Sequence, residues 1–334
     1  MRLSILDQAP ISSNQSALEA LDASMRLAQA GEKLGYTRFW VAEHHDIPGL
    51  ACSAPEIMLS YIGAHTQKIR LGSGAVLLPH YRPYKIAEVF NMLATLFPNR
   101  IDVGIGRAPG GSAEAAEALS GNFLQNVWDM PSSVEELMYF FNRDFPEEHK
   151  FASLKATPVP EMKPETWLLG TSKKSAILAA RNGMSYAFGQ FMSEENGSEI
   201  IQQYKKDFIP RNKEDVPQAL VTVSAFCAET TEKAEDLALS SFVWSLAKDK
   251  ELTKSGVPSI EEAKKYQLNE KEKEKMEEMK KNCIIGNPGE VREQLYSIQE
   301  NYQVDEIMIV SITHSPEDKI QSYKYIAEAM WEAK

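Results

Sequence analysis

Short apolar runs alternate with helix-patterned stretches along almost the whole chain, and this rhythm constrains the fold more than any single motif. The runs are Leu3 to Leu6, Arg38 to Ala42, Ile69 to Leu78, Ile101 to Ile105, Thr166 to Leu169, Ser185 to Phe188, Ala219 to Cys227 and Glu306 to Val310. They have the length and the β-branched and aromatic content of strands. Helical spacing fills 16–35, 54–66, 84–96, 174–182, 195–207, 231–247, 291–301 and 317–332. Gly35 and Gly183 stand where two of these helices stop, and Pro55 stands in the first turn of another, where its missing N–H costs nothing. Strand–helix alternation calls for a parallel sheet with helices outside it. Eight such units in 334 residues predict an α/β fold of the closed kind, a (β/α)8 TIM barrel in a single domain spanning 1–334. The rival is a doubly wound open sheet, marked by a G-x-G-x-x-G turn after the first strand, and Asp7-Gln8-Ala9-Pro10 is nothing like one.

Two insertions interrupt the rhythm, after strands four and seven. Residues 108–165 hold at least one helix, at about 131–142, and a turn-rich stretch from Phe145 to Pro164. Residues 249–285 include Glu270-Lys271-Glu272-Lys273-Glu274-Lys275. Opposite charges three and four positions apart support a solvated helix. A second reading adds that 249–285 covers the barrel mouth as a lid.

Acidic residues outnumber basic ones by 47 to 36, a formal charge of −11 that repels nucleic acid and anionic membrane surfaces. No apolar run reaches the roughly 18 residues needed to span a bilayer. The apolar stretch at the N-terminus is too short for a signal peptide. Cys52, Cys227 and Cys283 are odd in number, widely spaced and without a CxxC pair. A reduced, cytoplasmic setting is expected.

In such a barrel, chemistry sits at the C-terminal ends of the strands. Strand two ends in Glu43-His44-His45. Successive strand residues point to opposite sides, so the two histidines do not chelate one ion together, and no HxH or HExxH pair occurs elsewhere. No metal site is expected. One of the two should face the mouth as a general base or hydrogen-bond donor. The plainer alternative is a histidine hydrogen-bonded beneath a loop. Strand three carries Gly72-Ser73-Gly74-Ala75, either a flat shelf for a planar ring or a bulge in the core. Strand four ends in Gly106-Arg107, placing a guanidinium among small residues to meet an anion or to form a surface ion pair. Strand five runs into Gly170-Thr171-Ser172-Lys173-Lys174-Ser175, a hydroxyl-lined helix start that suits a phosphate and equally suits a plain N-cap. Together, shelf, arginine and helix start suggest a planar cofactor with a phosphate tail.

These motifs resemble those of the bacterial luciferase-like monooxygenase family. The similar runs are Phe39-Trp40-Val41-Ala42-Glu43-His44-His45, Leu71 to Pro79, Arg100 to Arg107, Leu168 to Ser172, Ile285 to Val291 and Asp305 to Val310. They occur in order over nearly the whole chain, most weakly at 112–165 and 190–282. The resemblance implies reduced FMN, or in some branches the deazaflavin F420, in the barrel mouth. It places His44 beside the reactive edge of the flavin, with His45 as a second catalytic candidate. It sets Ser73, Gly74 and Ala75 against the ring, with a non-proline cis peptide at Gly74–Ala75. It makes Arg107, Gly170, Thr171, Ser172 and Ser175 cofactor contacts. It also implies a homodimer through the first few helices and a separate NAD(P)H:flavin reductase as the source of reduced FMN.

The expected reaction oxidises a small organic substrate with O2 through a C4a-peroxyflavin. Two other readings stay open: F420-dependent hydride transfer, towards which Lys173 and Lys174 lean, and a flavin-binding protein without turnover. The chain also departs from the family. The luciferase α subunit has a cysteine where Gly106 stands, so light emission is not expected. Many relatives carry a histidine where this chain reads Gly189-Gln190-Phe191. Gln8, Tyr81, Phe191 and Trp244 are the candidate lining of the substrate pocket.

Overall fold

The computed structural model describes residues 1–247 and 256–331. The strands are β1 (Arg2–Asp7), β2 (Arg38–Val41), β3 (Arg70–Ser73), β4 (Val76–Leu77), β5 (Ile101–Gly106), β6 (Glu165–Gly170), β7 (Ser185–Gly189), β8 (Ala219–Cys227), β9 (Cys283–Gly286) and β10 (Glu306–Val310). The helices are α1 (Ala17–Leu34), α2 (Pro55–Ala64), α3 (Pro83–Leu96), α4 (Ala113–Ser120), α5 (Phe123–Trp128), α6 (Met130–Asn142), α7 (Lys173–Arg181), α8 (Gly197–Asp207), α9 (Thr231–Leu246), α10 (Ile260–Lys265), α11 (Glu270–Lys281), α12 (Pro288–Tyr302) and α13 (Pro316–Trp331). Neighbouring strands pair in parallel from β1 round to β8, and β10 pairs with both β8 and β1. That last pairing closes the ring and excludes the open sheet. β3 and β4 share one position in the eight-fold ring, because both pair with β5.

Strand alternation divides the core. Leu3, Ile5, Phe39, Val41, Val103 and Ile105 point outward into the layer between strands and helices. Leu6, Trp40, Ala42, Trp167, Leu220 and Met308 pack together in a second cluster, inside the ring. Trp40 and Trp167 meet edge to face at 5.4 Å, which fills the barrel below its mouth. A Cβ on Gly72 would lie 2.5 Å from Nε1 of Trp40, so this glycine makes room for the indole.

The N-terminal floor is charged and closed. Arg38 donates to Asp102, Glu165 and Glu306, each at 2.9 Å. Arg70 donates to Asp102 at 2.5 Å, and the Trp40 indole N–H to the same carboxylate at 2.9 Å. Burial opposes the charge on Arg38, but the three carboxylates outweigh it and raise its pKa.

The insertions are more structured than the sequence pattern predicts. Residues 108–165 fold into α4, α5 and α6 where the spacing shows at least one helix, at about 131–142. In 249–285, residues 249–255 lie outside the described residues. The rest forms α10, α11 and the additional strand β9, which pairs with the C-terminal half of β8. The charge run is the helix α11, opened by an Asn269 capping box and laced by Lys273–Glu270 and Lys280–Glu277 pairs. Its Met276 packs with Phe226, Phe242 and Ala263 against α9. No helix among the described residues is long and apolar enough to cross a membrane.

Candidate functional site

Strand parity sets the two histidines apart. Trp40 and Ala42 face inward, and His44 continues that series into a cavity at the C-terminal end of the barrel. His45 turns the other way. Its Nε2 lies 2.8 Å from Oε1 of Glu43, and its ring meets His80 edge to face at 5.7 Å. His45, expected as a catalytic candidate, therefore stands outside the cavity wall.

Glu43 is the hub of this region. Its buried carboxylate also accepts the Leu77 amide at 2.9 Å and the Tyr81 hydroxyl at 2.8 Å. Burial, then the charge of Glu43, push the Tyr81 phenol up, so it remains a donor. Tyr81 is thereby committed to Glu43 and does not line the cavity. The sequence motif contains Glu43, yet nothing in its spacing announces three donors arriving from β4, the turn after it and His45.

At β3–β4 the ladder slips by one residue. Gly72 pairs with Asp102, whereas Val76 pairs with Ile105. The extra residue is a bulge. The Gly74–Ala75 peptide within it is cis. Gly74 and Ala75 line the cavity, and so does Gly106, where a Cβ would come within 2.9 Å of Cβ of Ala75. The result is a wall of backbone and methyl with no long side chain. Ser73 is not part of it. Its hydroxyl is fully buried, donating to the Gly104 carbonyl at 2.9 Å and accepting the Gly104 amide at 3.1 Å. Of the two glycines beside it, Gly72 serves the core and Gly74 the cavity.

The start of α7 supplies the polar end. Ser172 caps the helix, accepting the Ser175 amide at 3.4 Å. Ser175 accepts the Ser172 amide at 3.3 Å and donates to the Ser172 carbonyl at 2.7 Å, so its proton is spent within the cap. The amides of Lys173 and Lys174 belong to the first turn, which has no acceptor within the helix. Gly170, Thr171, Ser172, Lys174 and Ser175 line the cavity. So does Arg107, an exposed guanidinium with no hydrogen bond or ion pair among the described residues.

The cavity encloses about 600 Å³. Gln8 and Phe191 line it, as expected from the sequence, whereas Trp244 packs against Gly49 instead. Leu124, Val127, Trp128 and Met192 complete its outer part and were not legible as site residues. No residue of 256–285 reaches it, so the described part of the expected lid lies elsewhere. The described residues contain no cluster of three metal-ligating side chains. Burial pushes the thiols of Cys52, Cys227 and Cys283 each up to about 12, so none offers a thiolate.

A model of the luciferase-like monooxygenase family matches residues 1–303. The chain belongs to that family. The luciferase-like chain is 37% identical to the N-acetyl-S-alkylcysteine monooxygenase of Bacillus subtilis (strain 168), over 100% of this chain and 99% of that one. It is also similar to the crystal structure of apo-MsnO8, with 31% identity, a TM-score of 0.84 and 98% of both chains covered. More distant structures share the fold alone. One is the oxygenating constituent of 3,6-diketocamphane monooxygenase from Pseudomonas putida in complex with FMN, at 18% identity and a TM-score of 0.70. Another is an F420-dependent secondary alcohol dehydrogenase, at 14% and 0.66. Family and relatives make this luciferase-like protein an oxidoreductase.

Proposed function

We propose that the protein is a flavin-dependent monooxygenase that uses reduced FMN and O2 to oxidise a small organic substrate. The observation that carries this reading is the single cavity wall that joins a shelf of backbone and methyl at Gly74, Ala75 and Gly106 to an uncommitted Arg107 and the open first turn of α7. A planar ring with one phosphate suits that combination. When bound, reduced FMN supplies the two electrons that place one atom of O2 on the substrate and release the other as water. Arg107, Lys174, Thr171 and the Ser172 hydroxyl hold the phosphate, and the amides at the helix start add their dipole. Ser175 keeps that turn in shape. The His44 imidazole, on the same wall, donates or takes a proton at a ring nitrogen during oxygen transfer. His45 positions Glu43 and does not touch substrate. The apolar remainder of the cavity excludes water.

A separate reductase supplies reduced FMN in this reading. The protein works as a homodimer, supported by Leu18 on α1, Ile57 on α2 and Met92 and Leu96 on α3, all large, apolar and exposed. The test is turnover with reduced FMN, labelled O2 and a panel of small organic molecules, followed by mass spectrometry. A product that gains one labelled oxygen supports the proposal, and His44→Ala should lower its rate about a hundredfold. Unchanged turnover in His44→Ala would remove His44 from the mechanism, and hydride transfer with F420 in place of oxygen transfer would replace the whole reading.

A further inference from the structure

Two polar side chains of the cavity have no part in holding a flavin phosphate. Gln8 and Thr222 both line it, and among the described residues neither side chain makes a hydrogen bond. Thr222 is only 4% exposed. A hydroxyl buried to that degree ordinarily finds a partner within its own chain. Its direction is set by β8: Leu220 lies inside the ring and Val221 and Val223 outside it, so Thr222 turns inward.

Gln8 reaches the same space from β1. Leu6 lies inside the ring, and the side chain two positions on keeps that parity into the mouth. Ala9, the next residue, has a left-handed backbone with φ 48°. Neighbouring chain imposes this bend: the Ala9 carbonyl accepts the Ala51 amide at 3.0 Å, and the Ile11 amide donates to the Gly49 carbonyl at 2.8 Å. A residue with a β-carbon keeps such a conformation only where its surroundings hold it, and such residues cluster at ligand sites. One strand, β10, separates β1 from β8, so the two backbones run about 10 Å apart and aim their polar groups into one cavity. Leu6, Ala42, Leu169, Ala187 and Phe191 make the wall around them apolar.

From this we infer that Gln8 and Thr222 are the specificity-determining polar pair of the site, and that they recognise an uncharged carboxamide group of the substrate. The inference rests on the cavity being the enzyme's active site and names the class of molecule it takes. Each of the two side chains offers both a donor and an acceptor, and a secondary carboxamide offers the same combination in return. An ester has no N–H and leaves an acceptor of the pair without a partner. A carboxylate fits worse. Arg107 and Lys174 are engaged by the phosphate in this reading, and the carboxylate of Glu43 stands on the cavity wall.

The test is calorimetric titration with N-methylbenzamide and methyl benzoate, which match in shape and differ by N–H against O. It is run on FMN-saturated protein and on the protein without FMN, so a failed cofactor reading leaves this test intact. A wholly apolar cavity would favour the ester, because the amide gives up more on leaving water. We expect the reverse, with the amide bound about tenfold more tightly. Gln8→Leu and Thr222→Val should each weaken amide binding about tenfold and bring the two probes within about twofold of each other. FMN affinity should stay within about twofold in both variants, and Thr222→Ser should keep the wild-type preference for the amide. Three results would each overturn the inference: wild type that binds neither probe or binds the ester as tightly as the amide, an amide preference that survives in both variants, or a loss of FMN affinity in place of that preference.

Discussion

The two ends of the barrel are built from similar residues used in contrary ways. At the floor, Arg38 and Arg70 are surrounded by Asp102, Glu165 and Glu306, and their hydrogen bonds are made within the chain. At the mouth, Arg107 has no such partner among the described residues, and the first turn of α7 keeps amides without an acceptor. A buried arginine with its carboxylates holds strands together, whereas an exposed one beside a cavity leaves its fork open to a ligand. The lesson is that an arginine at a strand end cannot be interpreted by type. What decides its role is which end of the strand it stands on and whether carboxylates already occupy its fork.

Mutations can break that contrast. Arg38→Met should have the largest effect, because buried Asp102 and Glu306 lose the guanidinium they share and keep only Arg70 and the half-exposed Arg2 beside them. We expect a loss of about 3–5 kcal/mol in denaturant unfolding. A loss below about 1 kcal/mol would mean the floor is not a structural lock. Glu43→Leu comes next, since it strands the Leu77 amide and the Tyr81 hydroxyl. It should cost about 3 kcal/mol by the same measurement. Arg107→Ala should do the reverse of Arg38→Met. Stability should hold within about 0.5 kcal/mol, while FMN affinity falls by about 1.5–3 kcal/mol in an equilibrium titration. Ser175→Ala sharpens the account of the helix start. Losing the cap partner should cost about 1 kcal/mol of stability with FMN affinity within about twofold, because its proton is already spent on Ser172. Lys273→Ala on the solvated α11 should be smallest, under about 0.5 kcal/mol in thermal melts.

Much of the barrel was legible because its strands are buried on both faces and so appear as unbroken apolar runs between helices. The same property hid the break in strand three. Ile69 to Leu78 is one apolar run, and only the register against β5 shows a bulge at Gly74–Ala75. β9 went unseen because it follows a charged helix and pairs only with one end of β8. α5 went unseen because it buries nothing and therefore shows no amphipathic period.

The site divides in the same way. As lining of the cavity, His44, Gly74, Arg107 and the start of α7 were legible because strand ends and helix starts fix where those residues must lie. Ser73, Tyr81 and Trp244 were misplaced because their partners are distant in sequence: Gly104, Glu43 and Gly49. The choice between His44 and His45 needed the parity established by Trp40 and Ala42, and the sequence shows that parity only once those two residues are known to face inward.

In the function we propose, the mouth is a phosphate-anchored flavin site whose anchor is Arg107. Anaerobic titration of wild-type protein and Arg107→Ala with reduced FMN and reduced riboflavin tests it directly, since riboflavin has the ring without the phosphate. Wild type should prefer FMN by at least tenfold, and Arg107→Ala should erase most of that preference. Equal affinity for the two flavins in wild type, or an Arg107→Ala variant that still prefers FMN to the same degree, would contradict it.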